Sequence, residues 1–329
     1  MFIIKNIKYY GAALVALLLF ASCNNETSQK TGSKSNLNEI SIIVSDVMWN
    51  GQVGDSLRKK LAAPVEGLSQ EEPLFTLNQY HEETFNGDIK NGRNIIFIEK
   101  GSVNDFKFKQ NSYCTPQNTF TITGKTTDEL LKQISMHGDE IITAIKQTEI
   151  AENQQRNLKA GLRDTMAFAA NYGISIKVPA TYKVAVRQPD FTWLKKDIPG
   201  GNTNLLLYSV PYNALERNKD IVSNIIKMRD SIGNLYIHGQ EPDTFMVTEA
   251  SYMPSMFMTG FNDKSAFETR GNWEMSRDFM KGVFVNYAVR NDKKHCYFII
   301  EGFIYSPSSP KRDLLMELES IIRSVTFIK

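Results

Sequence analysis

Carboxylates, tryptophans, cysteines and histidines are the residues of this chain whose types could do more than pack. Glu71-Glu72 precedes Pro73, Glu274 follows Trp273, and Glu301 precedes Gly302. Two carboxylates held across a sugar are all that glycoside hydrolysis requires. Each of these also has an ordinary reading: Glu71-Glu72 as a charged loop, and Glu301, on the strand face opposite Cys296, as a solvated or ion-paired residue. Trp49, Trp193 and Trp273 could instead form a carbohydrate platform, which makes Trp49, Glu71, Glu72, Trp273 and Glu274 the candidate ligand-binding residues. Tryptophans also serve as core, and that reading stands beside the platform.

Other chemistries find weaker patterns. Gly124-Lys125-Thr126 follows a strand and opens a helix, as a phosphate loop does, but the position of that loop's first glycine holds Thr119. Thr126, three residues before Glu129, reads more simply as a capping box. His81, His137, His238 and His295 are scattered without metal-ligand spacing, and His81-Glu82-Glu83 reads as a polar turn, so neither metal nor cofactor is expected. No Gly-x-Ser-x-Gly elbow is present, and Cys114 has no base close in sequence, although a distant histidine could supply one. No catalytic residue is assigned.

The elements that must position these side chains begin behind an export signal. Lys5 and Lys8 precede the apolar run Ala12 to Phe20, and Phe20-Ala21-Ser22-Cys23 places small residues before a cysteine. That order predicts a lipoprotein signal over 1–22, with Cys23 as the lipid-bearing residue. The polar stretch 23–38 then reads as a lipidated flexible tether, holding the body on the order of 20 Å from the membrane. With 329 residues, 42% hydrophobic content and a net charge of +2, the chain can bury one large core or two modest ones. This balance argues against nucleic acid. Cys296 alternates with Phe298, Ile300 and Ile304 along a strand pattern and reads first as a buried core thiol, with a disulfide to Cys114 as the alternative.

Beyond the tether the pattern predicts an α+β protein: two α/β sandwich-like halves with mainly antiparallel sheets, joined by a long helix. The first domain, 39–165, alternates strand and helix. Val53, Leu57 and Leu61 recur at helical spacing, and strands are expected over 42–44, 74–80, 94–99 and 119–123. Helices are expected from Thr126 to Met136 and from Asp139 to about Tyr172, with the polar stretch 147–157 bridging the halves through solvent. The second domain, 166–329, carries strands, an amphipathic helix closed by Gly233, a hairpin over 283–305 and a last helix. Ser309 and Pro310 are that helix's expected cap, and Leu314, Leu315, Leu318, Ile321 and Ile322 its apolar stripe.

Trp49-Asn-Gly-Gln-Val-Gly-Asp, Gly67-Leu-Ser-Gln-Glu-Glu-Pro-Leu-Phe, Arg93-Asn-Ile-Ile-Phe-Ile, Gly271-Asn-Trp-Glu-Met and Glu301-Gly-Phe-Ile-Tyr-Ser-Pro resemble, in order, a Bacteroidota lipoprotein family described as a domain of unknown function. The resemblance implies lipid anchoring and an envelope setting, and it transfers no active residue. Separately, Gly173-Ile-Ser-Ile-Lys-Val-Pro and the terminal Leu318-Glu-Ser-Ile-Ile-Arg-Ser-Val-Thr-Phe resemble the α/β/α sandwich of PsbP-like proteins, which implies binding or assembly rather than catalysis. The expected function is a lipid-anchored, non-enzymatic binding or assembly module at the outer membrane, facing the periplasm. Its expected partners are membrane lipid, through acylated Cys23, and an envelope protein. A glycan-binding lipoprotein and a hydrolase using Cys114 or a carboxylate pair remain as alternatives.

Overall fold

The computed structural model describes residues 32–328. The expected signal (1–22), Cys23 and the tether up to residue 31 lie outside them. The α+β class is as expected. The first sheet is built from β1 (Glu39–Ile43), β2 (Thr76–Tyr80), β3 (Asn94–Lys100), β4 (Asp105–Gln110) and β5 (Asn118–Gly124), in the order β2-β1-β3-β5-β4. Three of its four pairings are parallel, and only edge strand β4 runs antiparallel. Antiparallel pairing predominates over the chain as a whole, but here helical connections from β1 to β2 and from β2 to β3 return those strands in the same direction, while β3 and β5 are joined through the antiparallel edge strand β4. Strand β4 was not foreseen; its Phe106 and Phe108 stack on Phe120 of β5.

Three helices precede the long one: α1 (Asp46–Trp49), α2 (Gln52–Leu61) and α3 (Gly87–Lys90). Ile40, Ile42, Ile96, Ile98, Phe120 and Ile122 share one sheet face. Val53, Leu57 and Leu61 of α2, and Leu130, Ile134, Ile141 and Ile145 of the long helix α4 (Thr127–Ala160), close a core over it. The predicted capping box opens α4: Thr126 Oγ1 accepts from the Glu129 amide, and Glu129 accepts from the Thr126 amide. Where two helices were expected, one runs unbroken for 34 residues. Gly138 lies inside it, beneath the flexible Lys60 side chain of α2, whose Cε is 2.5 Å from where a Cβ would be. The break comes instead at Gly161, whose φ of 92° favours glycine, before the short α5 (Met166–Tyr172).

Buried charge corrects two further expectations. The polar stretch 147–157 is no solvent bridge, because Glu149 and Asn153 are buried in it. Arg93 holds Glu149 through Nε at 2.8 Å and Nη2 at 2.9 Å, and Asn94 Nδ2 adds a third bond at 2.8 Å. The same guanidinium donates to Ser33 Oγ, the Ser35 carbonyl and the Asn36 carbonyl. The stretch expected to be flexible through residue 38 is therefore fixed from Ser33 onward, and Leu37 and Asn38 are buried.

In the second sheet β7 (Lys183–Gln188), β8 (Phe191–Ile198), β9 (Gly201–Pro211), β10 (Met246–Thr248), β11 (Ser255–Phe261), β12 (Lys264–Met275), β13 (Lys281–Asn291) and β14 (Cys296–Tyr305) all pair antiparallel, in the order β10-β12-β13-β14-β9-β8-β7 with β11 beside β12. Strand β6 (Ile174–Ser175) pairs separately with β15 (Thr326–Phe327). Alternate residues of β14 feed two cores: Phe298, Ile300 and Ile304 meet α8 (Arg312–Ile322), while Ile299 and Phe303 join the core that includes Ile225 and Met228 of α7 (Ile221–Tyr236). A short helix, α6 (Tyr212–Glu216), leads into α7. Glu301, also on the α7 face, is buried and held by Arg229 Nε at 2.8 Å and Nη2 at 2.7 Å. Gly233 does not end α7; it lets the helix approach β10, where a Cβ would fall 1.9 Å from the Met246 carbonyl oxygen. The start of α8 also differs from Ser309-Pro310: Lys311 is its N-cap residue and makes no side-chain cap bond.

Candidate functional site

The first sheet reverses its strand order at β1. From β1 the chain crosses through α2 to β2 on one side, and the next connection returns past β1 to β3 on the other. These crossings lie on opposite faces: α2 packs with Ile96 and Ile98, whereas Phe85 in the second connection meets Phe97 edge-on at 5.0 Å. Strands that part in this way leave a crevice beyond their carboxyl ends, the usual ligand position in open α/β sheets. Here it has a volume of about 470 Å³.

Val44, Met48 and Phe97 give the crevice an apolar floor, while Glu82, Glu83, Glu99 and Lys100 stand on its rim. Across the mouth, His81 Nε2 lies 3.0 Å from Asp46 Oδ1. Gln79 Nε2 donates to the same oxygen at 3.1 Å and to the Val44 carbonyl at 3.1 Å. This network fixes the end of β2 to the start of α1. Carboxylates outnumber cations on the rim, so the crevice suits a ligand or peptide segment that brings donors or positive charge above an apolar body.

The sequence candidates do not assemble into one site. Trp49 is half-buried beside the crevice, with the Arg58 guanidinium 4.7 Å above its ring. Glu71 is exposed. Glu72, expected as a ligand-binding residue in a charged loop, is already engaged: its carboxylate accepts from the Lys311 and Arg312 amides at 2.7 and 2.9 Å, capping α8 in place of a local residue. Trp273 is a core residue, buried with Nε1 donating to the Ile304 carbonyl at 3.2 Å. Glu274 follows it on β12, opposite Lys281 in register. Trp273 and Trp193 both meet Phe303, at 5.5 and 6.2 Å, and with Tyr305 they line a smaller pocket of about 200 Å³.

Cys114 is fully buried, its Sγ 3.3 Å from the Asn91 carbonyl oxygen, and it is not bonded to Cys296. A buried thiol aimed at backbone carbonyls is not poised as a nucleophile. Among the described residues no group of three or more His, Cys, Asp or Glu could hold a metal ion, and no helix is long and apolar enough to cross a membrane. Cys23 lies outside the described residues. Sequence reasoning missed Ser45, Met48, Phe97 and Glu99 as crevice residues. The available signal was their position just after or at the ends of expected strands.

Residues 33–158 match the model of a domain of unknown function (DUF8532), and residues 162–324 match a second domain of unknown function (DUF4837). No curated protein matches the chain. Among solved structures, the Ran-binding protein Mog1p of Saccharomyces cerevisiae is similar at 10% identity and a TM-score of 0.33, over 48% of this chain and 91% of that one. A point mutant of protein Mog1 is similar at 9% identity and a TM-score of 0.32, over 48% of this chain and 92% of that one.

Proposed function

We propose that this chain is a lipid-anchored envelope protein that works as a binding or assembly module, without chemistry of its own. Acylated Cys23 holds it to the outer membrane on the periplasmic side, and the crevice beyond β1, β2 and β3 receives an envelope partner or its ligand. The observation that carries this reading is the crevice itself, an apolar floor with an acceptor-rich rim at the point where strand order reverses. The anchor rests on the small residues before Cys23 and on the polar stretch that follows. In-cell crosslinking of the tagged wild type, with Cys23→Ser and Glu82→Gln/Glu83→Gln proteins alongside, tests both parts. A stoichiometric partner that is lost in each variant supports the proposal. A partner profile unaltered by either change refutes it.

A glycan-binding reading keeps one specific support, the pocket in which Trp193, Trp273, Phe303 and Tyr305 converge. Calorimetry against cell-wall and dietary glycans tests it, and the absence of any heat sensitive to Trp193→Ala removes it.

A further inference from the structure

A second cavity, of about 620 Å³, opens between α4 and the second sheet. One wall is the α4 face bearing Lys146, Ile150 and Gln154; the other is formed by Glu268 and Arg270 of β12, Tyr287 of β13, and Glu319 and Arg323 at the end of α8. Its charges do not cancel within the chain. Glu268 accepts from Arg270 Nε at 2.7 Å and from Arg323 Nη2 at 3.2 Å, and Glu319 pairs with Arg270 Nη2. Both carboxylates are thus engaged by guanidiniums, and Lys146, the third cation, has no carboxylate within ion-pair distance among the described residues. Burial, and then the positive charge of Arg270, push the Lys146 ammonium below its ordinary pKa, with Glu268 opposing them. A desolvated cation without a counter-ion is unfavourable for folding alone.

We infer that this cleft binds a small ligand carrying an oxyanion, a carboxylate or a phosphate monoester, with Lys146 as its counter-ion and Arg270 and Arg323 held in place by Glu268 and Glu319 to receive it. The ligand's charge completes a set that the chain leaves one negative charge short. Ile150 and the Tyr287 ring offer apolar contact to the rest of the molecule. Guanidiniums fixed by carboxylates are pre-organised for oxyanions, whereas a lone flexible lysine is not. The inference is independent of the crevice and of lipid attachment.

The test is a titration of the full-length chain in detergent with inorganic phosphate and with acetate, followed by calorimetry, in wild-type, Lys146→Gln, Lys146→Met and Lys100→Gln forms. At least one anion should bind saturably, and both Lys146 variants should weaken it about tenfold or more, the size of one lost charge-assisted bond. Lys100→Gln, at the other cavity, should bind as the wild type does. Without anion, Lys146→Met should melt no lower than the wild type, because a desolvated charge has been removed. Tighter phosphate identifies a phosphate ester and tighter acetate a carboxylic acid, and either supports the site. Binding that is absent for both anions, or equal in Lys146→Gln, overturns it. So does a lower anion-free melting temperature in Lys146→Met, which would make Lys146 a structural partner of Glu268.

Discussion

Replacing Arg93 by Met should be among the most damaging single changes outside the apolar core. Both side chains of the Arg93–Glu149 pair are 0% exposed. Arg93 supplies two of the three hydrogen bonds recorded to that carboxylate, so its loss leaves a buried charge with Asn94 alone. Charge-assisted bonds contribute about 1.5–3 kcal/mol each, so two of them bracket the roughly 3–5 kcal/mol typical of breaking a buried pair from one side. Arg93→Met also releases Ser33, Ser35 and Asn36. Urea unfolding followed by circular dichroism should show a midpoint lowered by that amount at constant slope, with faster proteolysis within 32–38. The double variant Arg93→Met/Glu149→Leu should recover most of the loss, since an apolar pair of similar volume is often neutral to stability. A loss below about 1 kcal/mol for Arg93→Met, or a double variant no better than the single ones, would refute the argument that an uncompensated buried charge sets the penalty.

Three further outcomes are expected. Glu72→Ala removes the only side-chain cap seen on α8 and should lower stability by about 1–2 kcal/mol in urea unfolding, with Glu72→Gln losing less because one acceptor remains. Leu318→Ala, at a fully buried position against Gly302 of β14, should lose about 2–5 kcal/mol, and an unchanged melting temperature would mean that α8 does not pack as described. Glu129 is held below the ordinary carboxylate pKa by the Asn104 side chain and by the Thr126 amide and hydroxyl. Its folded pKa lies below its unfolded one, so its contribution is present near neutrality and disappears as pH falls through the folded value. The melting-temperature difference between wild type and Glu129→Gln should therefore shrink from pH 7 towards pH 3, and a difference that grows on acidification would show the sign to be wrong.

Local signals in the sequence translated well into elements. Val53, Leu57 and Leu61 are buried on α2, the capping box opens α4, Gly173 ends α5 in the left-handed region, and β13 and β14 form the expected hairpin. Failures occurred where a distant neighbour changed the meaning of a residue. Gly233 looked like a stop, but it lies where β10 passes too close for a Cβ. The polar run 147–157 looked solvated because nothing nearby reveals that Arg93 reaches Glu149. Strand β12 was overlooked since Glu268, Arg270 and Gly271 interrupt its apolar pattern, and those charges are the ones that line the cleft with α4.

By itself the sequence determined the α+β class, the position of most helices and strands, and the face each presents to a core. Those properties depend on residues within one helical turn or a few strand positions, where propensity, capping and periodicity act. Only the tertiary structure decided which polar residues are engaged. It assigned Glu72 to the end of a helix more than two hundred positions away, Trp273 to a core, and Lys146 to a cleft whose two carboxylates are already taken by Arg270 and Arg323. A side chain's partners are set by strand order and helix packing rather than by sequence distance. A site made of such partners is therefore assembled by the fold and leaves no spacing for the sequence to show.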